Sequence, residues 1–378
     1  MSFSINKYIL QISIFLITIN SQIFSQVRFA AIGDYGLAGD NELAVANFVK
    51  SWNPDFIITL GDNNYPLGAD STIDQNIGQY YHDYIYPYKG TYGTGSNVNR
   101  FFPALGNHDW YTDSAKPYFN YFELSGNERY YDIIRGEVHL FILDSDPNEP
   151  HGYTDTSIQA RWLKDELALS WSKWNIVTVH HAPYSSGPHG STLYAQWPYK
   201  MWGADLVLSG HDHTYERLFV DSLTYIVCGN SGHSLYTFID TINGSVFQYN
   251  SNYGALLVEA DENKLTTKFY NVNGELIDSA NIEDRVGHNY VDDYLLNQNY
   301  PNPFNSFTRI TYEIPVEANV SIVLYDILSR KVETLIDEYK TIGKYEVEFT
   351  ADNIASGIYF YTLRSGNFTQ TRKMILLK

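Results

Sequence analysis

The chain has 378 residues, with 25 Lys and Arg against 43 Asp and Glu and a formal net charge of −18. That length permits two or three domains. An acidic chain without a basic stripe is unsuited to binding nucleic acid. Its surface would repel anionic substrates, so phosphate chemistry would need strong local positive charge, which metal ions can supply.

Residues 1–25 read as an export signal. Lys7 is the only charge, residues 9–19 are apolar apart from Gln11, Ser13 and Thr18, and the small Ser25 precedes Gln26. The run is too short to span a bilayer comfortably, and no later segment reads as transmembrane. Short apolar runs follow at 27–32, 56–60, 138–143, 174–180 and 206–209. Helix candidates lie between them at 41–51, 156–170 and 192–202, with Asp155 or Thr156 able to cap the second. Strands alternating with helices predict a layered α/β domain. Beyond Gly210 the pattern turns strand-rich, at 214–220, 223–228, 254–260 and 265–271, and Asn273-Gly274 signals a hairpin. Cys228, the one cysteine, excludes an intramolecular disulfide and reads as a buried strand thiol. The polar stretch 281–293 reads as a linker. After it, Val320, Ile322 and Leu324 alternate with polar or smaller neighbours, as do Tyr345, Val347 and Phe349. Such short strands predict a small all-β sandwich over 294–378.

Five stretches carry the chemistry: Gly33-Asp34-Tyr35-Gly36, Gly61-Asp62-Asn63-Asn64-Tyr65, Gly106-Asn107-His108-Asp109, His180-His181-Ala182-Pro183 and Gly210-His211-Asp212-His213. Four follow directly on a strand-like run and the third follows a weaker one, 101–105. Ligands of α/β sheets gather outside the carboxyl ends of strands, so all five are expected on one sheet edge. Carboxylate, carboxamide, phenolate and imidazole suit iron, zinc or manganese. His211 and His213 are expected on one face of a strand, Glu216-Arg217 as an ion pair, and His139, His151 and His233 as surface or core residues.

In this order the motifs resemble the calcineurin-like metallophosphoesterases, and within them the purple acid phosphatases. Position 36 is Gly36 where most of the superfamily has a metal-binding histidine, and Tyr65 stands where purple acid phosphatases have a tyrosinate. Over residues 26–280 the resemblance implies a sandwich of two mixed β-sheets flanked by helices. It also implies two metal ions. The first, iron(III), would be held by Asp34, Tyr65 and His213. The second, iron(II), zinc or manganese, would be held by Asn107, His181 and His211, with Asp62 bridging. Either His180 or His181 could be the fourth motif's ligand; the small residue and proline that follow, Ala182-Pro183, favour His181. His108 and His189 match substrate-contacting histidines of the family, and Asp109 is expected to fix His108 or its loop. The implied reaction is hydrolysis of phosphomonoesters by metal-activated hydroxide, with phosphodiester or nucleotide hydrolysis as the alternative and a non-enzymatic surface role as a third.

The C-terminal unit resembles the sorting domain of type IX secretion. The resemblance rests on 296–305 (Leu-Asn-Gln-Asn-Tyr-Pro-Asn-Pro-Phe-Asn), 323–328, 356–361 and the Lys373-Met374-Ile375-Leu376-Leu377-Lys378 ending. It implies an immunoglobulin-like sandwich, the type IX machinery as partner, and a secreted or cell-surface protein without a transmembrane helix.

Overall fold

Apolar runs flanked by turn residues become thirteen strands in the N-terminal unit of this computed structural model, which describes residues 26–282, 294–340, 343–351, 354–366 and 368–377. The expected export signal, and the expected linker from 283 onward, lie outside the described residues. In chain order the strands are β1 (Val27–Ile32), β2 (Phe56–Thr59), β3 (Phe101–Pro103), β4 (Tyr131–Arg135), β5 (Val138–Ile142), β6 (Trp174–Val179), β7 (Leu206–Ser209), β8 (Tyr215–Val220), β9 (Leu223–Cys228), β10 (Ser245–Tyr249), β11 (Gly254–Ala260), β12 (Leu265–Asn271) and β13 (Leu276–Ile282). They form two mixed sheets, ordered β13-β12-β11-β1-β2-β3 and β10-β8-β9-β7-β6-β5-β4. The strands β1, β2 and β3 run parallel, as do β5, β6 and β7, so their carboxyl ends lie at one edge of each sheet.

The sheets pack face to face over a core that includes Phe29, Ile58, Leu140, Ile176, Leu208 and Leu256. The outer face of the first sheet is covered by helix Asp40–Ser51 through Val45 and Val49, and that of the second by helix Ile158–Leu169 through Leu163 and Leu167. The layering is the expected one. Ser157, and neither Asp155 nor Thr156, caps the second helix by accepting from the Ala160 N–H at 3.0 Å. The expected helix 192–202 splits into a 3₁₀ turn, Leu193–Ala195, and one α turn, Tyr199–Trp202. Pro198 lies between them, and the residue before a proline is disfavoured in helical backbone. Residues 281 and 282, expected in the linker, instead pair with Thr266 and Leu265 at the end of β13. The Asn273-Gly274 hairpin forms as expected, with Gly274 at φ 82°.

The C-terminal unit is all β. Strands Leu295–Leu296, Phe307–Ile314 and Gly343–Thr350 form one sheet; Lys331–Lys340, Ala318–Asp326, Gly357–Ser365 and Phe368–Leu376 form the other. Their inner faces share a core that includes Ile310, Tyr312, Val320, Ile322, Leu324 and Leu363. The edge strand Lys331–Lys340 went unforeseen because charged and polar residues fill much of it.

Glu42 is a buried anomaly in helix Asp40–Ser51. Neither carboxyl oxygen has a hydrogen-bond partner among the described residues, and burial holds its pKa well above the ordinary 4.5. A carboxyl raised by folding contributes its stability below its unfolded pKa and loses it as pH climbs toward the folded value. Glu42→Gln is therefore expected to raise the melting temperature relative to the parent progressively from pH 4.5 to pH 8, which calorimetry across that range checks.

Candidate metal centre

The five motifs meet where the strand ends of the two sheets come together. Asp34 follows β1, Asp62 follows β2, Asn107 follows β3, His180 follows β6 and His211 follows β7. Backbone bonds tie the loops: Asp34 N–H to Gly61 O at 3.1 Å, Gly36 N–H to Asp62 O at 3.4 Å and Gly210 N–H to His180 O at 3.0 Å. Three of these residues hold left-handed backbone, Asp34 at φ 52°, Asp62 at φ 55° and His211 at φ 72°. Non-glycine residues rarely adopt it, and where they do the surroundings must hold them there, commonly at functional sites.

Asp62 lies at the centre. Its Oδ2 accepts from the Tyr65 hydroxyl at 2.8 Å, and that hydroxyl lies 3.2 Å from both Asp34 Oδ1 and His213 Nε2. Its Oδ1 lies 3.5 Å from His180 Nε2, which is 3.1 Å from Asn107 Oδ1. One carboxylate thus faces two donor groups, Asp34–Tyr65–His213 and His180–Asn107. His211 adjoins the second, its ring centroid 5.0 Å from that of His180, and its backbone N–H donates to Asp34 Oδ2 at 2.8 Å. Asp34, Asp62 and His180 each bring a ligand atom within 4.8 Å of the others, a grouping that could hold a cation.

At the fourth motif the two adjacent histidines take different places. Along β6 the side chains alternate: Trp174 and Ile176 face the core between the sheets, and Val177 and Val179 face the helical layer. Continuing that parity, His180 falls on the side of Asp34 and Asp62. His181 falls on the other, where its Nδ1 meets Ser145 Oγ at 2.8 Å. Of the pair, His180 turns its Nε2 toward Asp62 and Asn107, whereas His181 meets Ser145 and packs its ring 4.4 Å from that of His211. Burial, then the neighbouring His180, pushes the His181 imidazole down to about 3.

Tautomers are set by backbone carbonyls, which can only accept. His180 Nδ1 donates to Leu60 O at 2.7 Å and His213 Nδ1 to Ser234 O at 2.7 Å. Each neutral ring therefore turns a bare Nε2 toward the carboxylates, the arrangement a metal-binding histidine needs. Burial opposes charging of either ring, yet Asp62 and Asp34 beside His180, and the Asp34 hydrogen bond to His213, raise both pKa values. Conversely burial, then the charges of Asp34 and Asp62, hold the Tyr65 phenol well above 10.0. The site favours positive charge, and the donor set fits hard or borderline cations, whose presence would reverse the penalty on the phenolate.

Around this lies a cavity of about 260 Å³. His108 enters it with its ring 4.4 Å from that of Tyr65, its Nδ1 donating to Pro66 O at 2.6 Å and its Nε2 3.9 Å from Asp62 Oδ2. His189 lines it too, stacked 4.1 Å from the His211 ring, its N–H on Asp212 Oδ1 at 2.9 Å. Asp109 makes no bond to His108. It accepts from the Asn63 and Gly106 backbone N–H groups and the Asn63 amide at 2.8 Å, so it clamps the second and third motif loops together.

Three further expectations are revised. Residues 211–213 form turns before β8, and their imidazoles converge without sharing a strand face. Arg217 pairs with Asp278 at 2.7 Å, while Glu216 takes the Ser186 and Ser245 hydroxyls. His233, expected as a surface or core residue, lines the cavity with Tyr236, which the sequence did not single out. The signal was present: Gly229-Asn230-Ser231-Gly232-His233 follows β9 just as the other motifs follow their strands.

Residues 27–215 match the calcineurin-like phosphoesterase family, and the chain belongs to it. Within that family it is similar to purple acid phosphatases. It is 27% identical to purple acid phosphatase 17 of Arabidopsis thaliana over 66% of this chain and 82% of that protein, and 25% identical to tartrate-resistant acid phosphatase type 5 of Sus scrofa over 51% and 65%. Among solved structures, the purple acid phosphatase of yellow lupin superposes with a TM-score of 0.58 at 18% identity, covering 68% of this chain and 54% of that one. GAP50, described as the anchor in the inner membrane complex of Plasmodium, has a TM-score of 0.55 at 21% identity, covering 68% and 89%. Residues 298–377 match the secretion system C-terminal sorting domain.

A side chain at Gly36 would collide with the Asn63 carbonyl and the Asn64 amide, and one at Gly106 with Asp62 itself. Forcing atoms into such contacts costs about 1–3 kcal/mol. Gly36→Ala should therefore lower the melting temperature of this unit by roughly 5 °C and reduce its metal content, read by differential scanning fluorimetry and metal analysis on the same sample.

Proposed function

We propose that this chain is an exported binuclear acid phosphatase acting on phosphomonoesters. The observation that supports it best is the Asp62 carboxylate, with one oxygen toward Asp34, Tyr65 and His213 and the other toward His180 and Asn107. In this reading residues 1–25 are removed on export, 26–280 are catalytic, 281–293 link, and 294–378 address the chain to type IX secretion. Asp34, Tyr65 and His213 hold the first cation, iron(III), which a phenolate stabilises. Asn107, His180 and His211 would hold the second, iron(II), zinc or manganese, and Asp62 would serve both. His180 replaces His181 in the set expected from sequence.

When bound, two such cations supply Lewis acidity toward phosphoryl oxygens and make a water nucleophilic at neutral pH or below. The chain's own residues orient and protonate. His108 has its Nδ1 proton committed to Pro66 O, so the proton offered to a leaving alkoxide is the second one of the imidazolium form, on Nε2, the atom facing Asp62 and the cavity. His189, held through Asp212, is positioned to orient the phosphate from the His211 side.

An anchoring role, as described for GAP50, is the competing use of this fold. The complete donor set favours the enzyme. The discriminating experiment measures metal content and hydrolysis of phosphomonoester and phosphodiester panels. His180→Ala should lower kcat by more than about 100-fold with loss of one metal, while His181→Ala should keep both metals and stay within about 100-fold, the range of a residue beyond the ligands. The iron-loaded protein should absorb in the visible, and Tyr65→Phe should abolish that band. Equal losses for the two histidine variants would remove His180 from the ligand set, and a metal-free chain without hydrolytic activity would overturn the reading.

A further inference from the structure

We infer that His233 is a substrate-binding residue, donating a hydrogen bond from Nε2 to a phosphoryl oxygen of the monoester. The inference rests on the phosphatase reading above and assigns a contact that the motif residues do not supply.

The segment after β9 is fastened to the site by its backbone. Ser231 N–H donates to Gly33 O at 3.2 Å, His233 N–H to Asp34 O at 3.0 Å and Tyr236 N–H to His213 O at 3.1 Å. Two of those three acceptors belong to residues of the Asp34–Tyr65–His213 group, so the loop's position follows that of the donors. The His233 ring then stacks on Tyr65, centroids 4.2 Å apart and planes at 27°, and lines the cavity.

Its protonation pattern follows from its neighbours. His213 Nδ1 carries its proton, because it faces the Ser234 carbonyl at 2.7 Å. His233 Nδ1 lies 3.3 Å from that protonated nitrogen and 3.0 Å from the Ser234 hydroxyl. Both can donate to it, so it accepts, and the neutral ring carries its proton on Nε2. Nε2 has no hydrogen-bond partner among the described residues, while the ring borders the cavity. His108 is the opposite case, with Nδ1 donating. The two imidazoles packed against Tyr65 therefore both present Nε2 to the same space, bare on the neutral His108 ring and protonated on that of His233.

Among the described residues, no lysine or arginine lines this cavity. Three non-bridging oxygens of a phosphomonoester must find donors among cations, histidines and tyrosines. His233 stands beside the Asp34–Tyr65–His213 group, where a cation would draw one of those oxygens, and it is a neutral donor fixed before substrate arrives. Such preorganisation lets a single hydrogen bond contribute fully to binding.

Two substitutions separate this contact from a merely structural stack. His233→Phe keeps an aromatic ring against Tyr65 and removes the donor, whereas His233→Gln restores a donor without the ring. With a phosphomonoester as substrate and inorganic phosphate as competitive inhibitor, His233→Phe should raise both KM and the phosphate inhibition constant about tenfold. Metal content and the Tyr65-dependent visible band should be unchanged, and His233→Gln should recover part of the phosphate affinity. Wild-type phosphate affinity in His233→Phe, or loss of metal in step with loss of affinity, would overturn the inference while wild-type hydrolysis left the phosphatase reading standing. Absence of hydrolysis and of phosphate binding in the wild type would overturn both.

Discussion

A single carboxylate, that of Asp62, organises the site, because its two oxygens face different donor groups. This is possible only if the residue leaves the end of β2 at an unusual angle. Left-handed backbone at φ 55° provides it, and Gly61 at φ 92° precedes it. The His108 N–H then meets Asp62 Oδ1 at 2.9 Å, and Gly106 passes so close to Asp62 that no side chain fits there. Asp109 and Asn63 lock the two loops from beneath. Local strain of this kind persists only where the surroundings over-determine it, and here the surroundings are two parallel strand ends with a buried amide–carboxylate clamp between them.

The electrostatics follow from the same crowding. Asp34 is fully buried, and Asp62 nearly so, within reach of a phenol and imidazoles. Burial works to raise the Asp34 pKa, but His213, His180 and the His211 N–H outweigh it and hold the carboxylate ionised. An ionised carboxylate in a place from which water is largely excluded demands positive charge. Protons on His180 and His213 could supply part of it; a pair of cations would supply it fully and would turn Tyr65 from a reluctant acid into a ligand. A molecule with net charge −18 could in this way attract a phosphate anion to one point of its surface.

Much of this was legible in the sequence because the motifs sit at strand ends, where polar residues interrupt apolar runs and topology brings them together. The layered domain, the β unit after it and the gathering of the five motifs at strand ends follow from that grammar; the direction in which His180 and His181 each turn and the place of His233 do not. The failures have physical reasons. β6 is buried on both faces, so its sequence does not reveal which of two adjacent histidines turns toward the other sheet. Only the partners of Trp174 and Ile176, which lie on the opposite sheet, settle the parity. His233 was passed over because a lone histidine in a glycine-rich loop has no spacing to mark it; its placement comes from bonds to Asp34 and from stacking on Tyr65, both distant in sequence.

The relation between Gly36 and Tyr65 shows how a change of donor can be built into the backbone. The sequence resemblance treats the missing histidine at 36 and the tyrosine at 65 as a loss and a gain. In the folded chain they are two sides of one contact. Tyr65 N–H donates to Gly36 O at 2.8 Å, and the Gly36 Cα lies against the Asn63–Asn64 peptide. That approach brings the second motif loop close enough for the Tyr65 hydroxyl to reach Asp34 and Asp62 together, and it leaves no room for any side chain at 36. Asn76 fixes the far side of the loop by donating to Tyr65 O at 2.9 Å and Asn64 Oδ1 at 2.8 Å. A histidine at 36 would push the loops apart and withdraw the phenol. The two donors are thus mutually exclusive on this backbone, and the choice of phenolate over imidazole is fixed by the packing of one glycine.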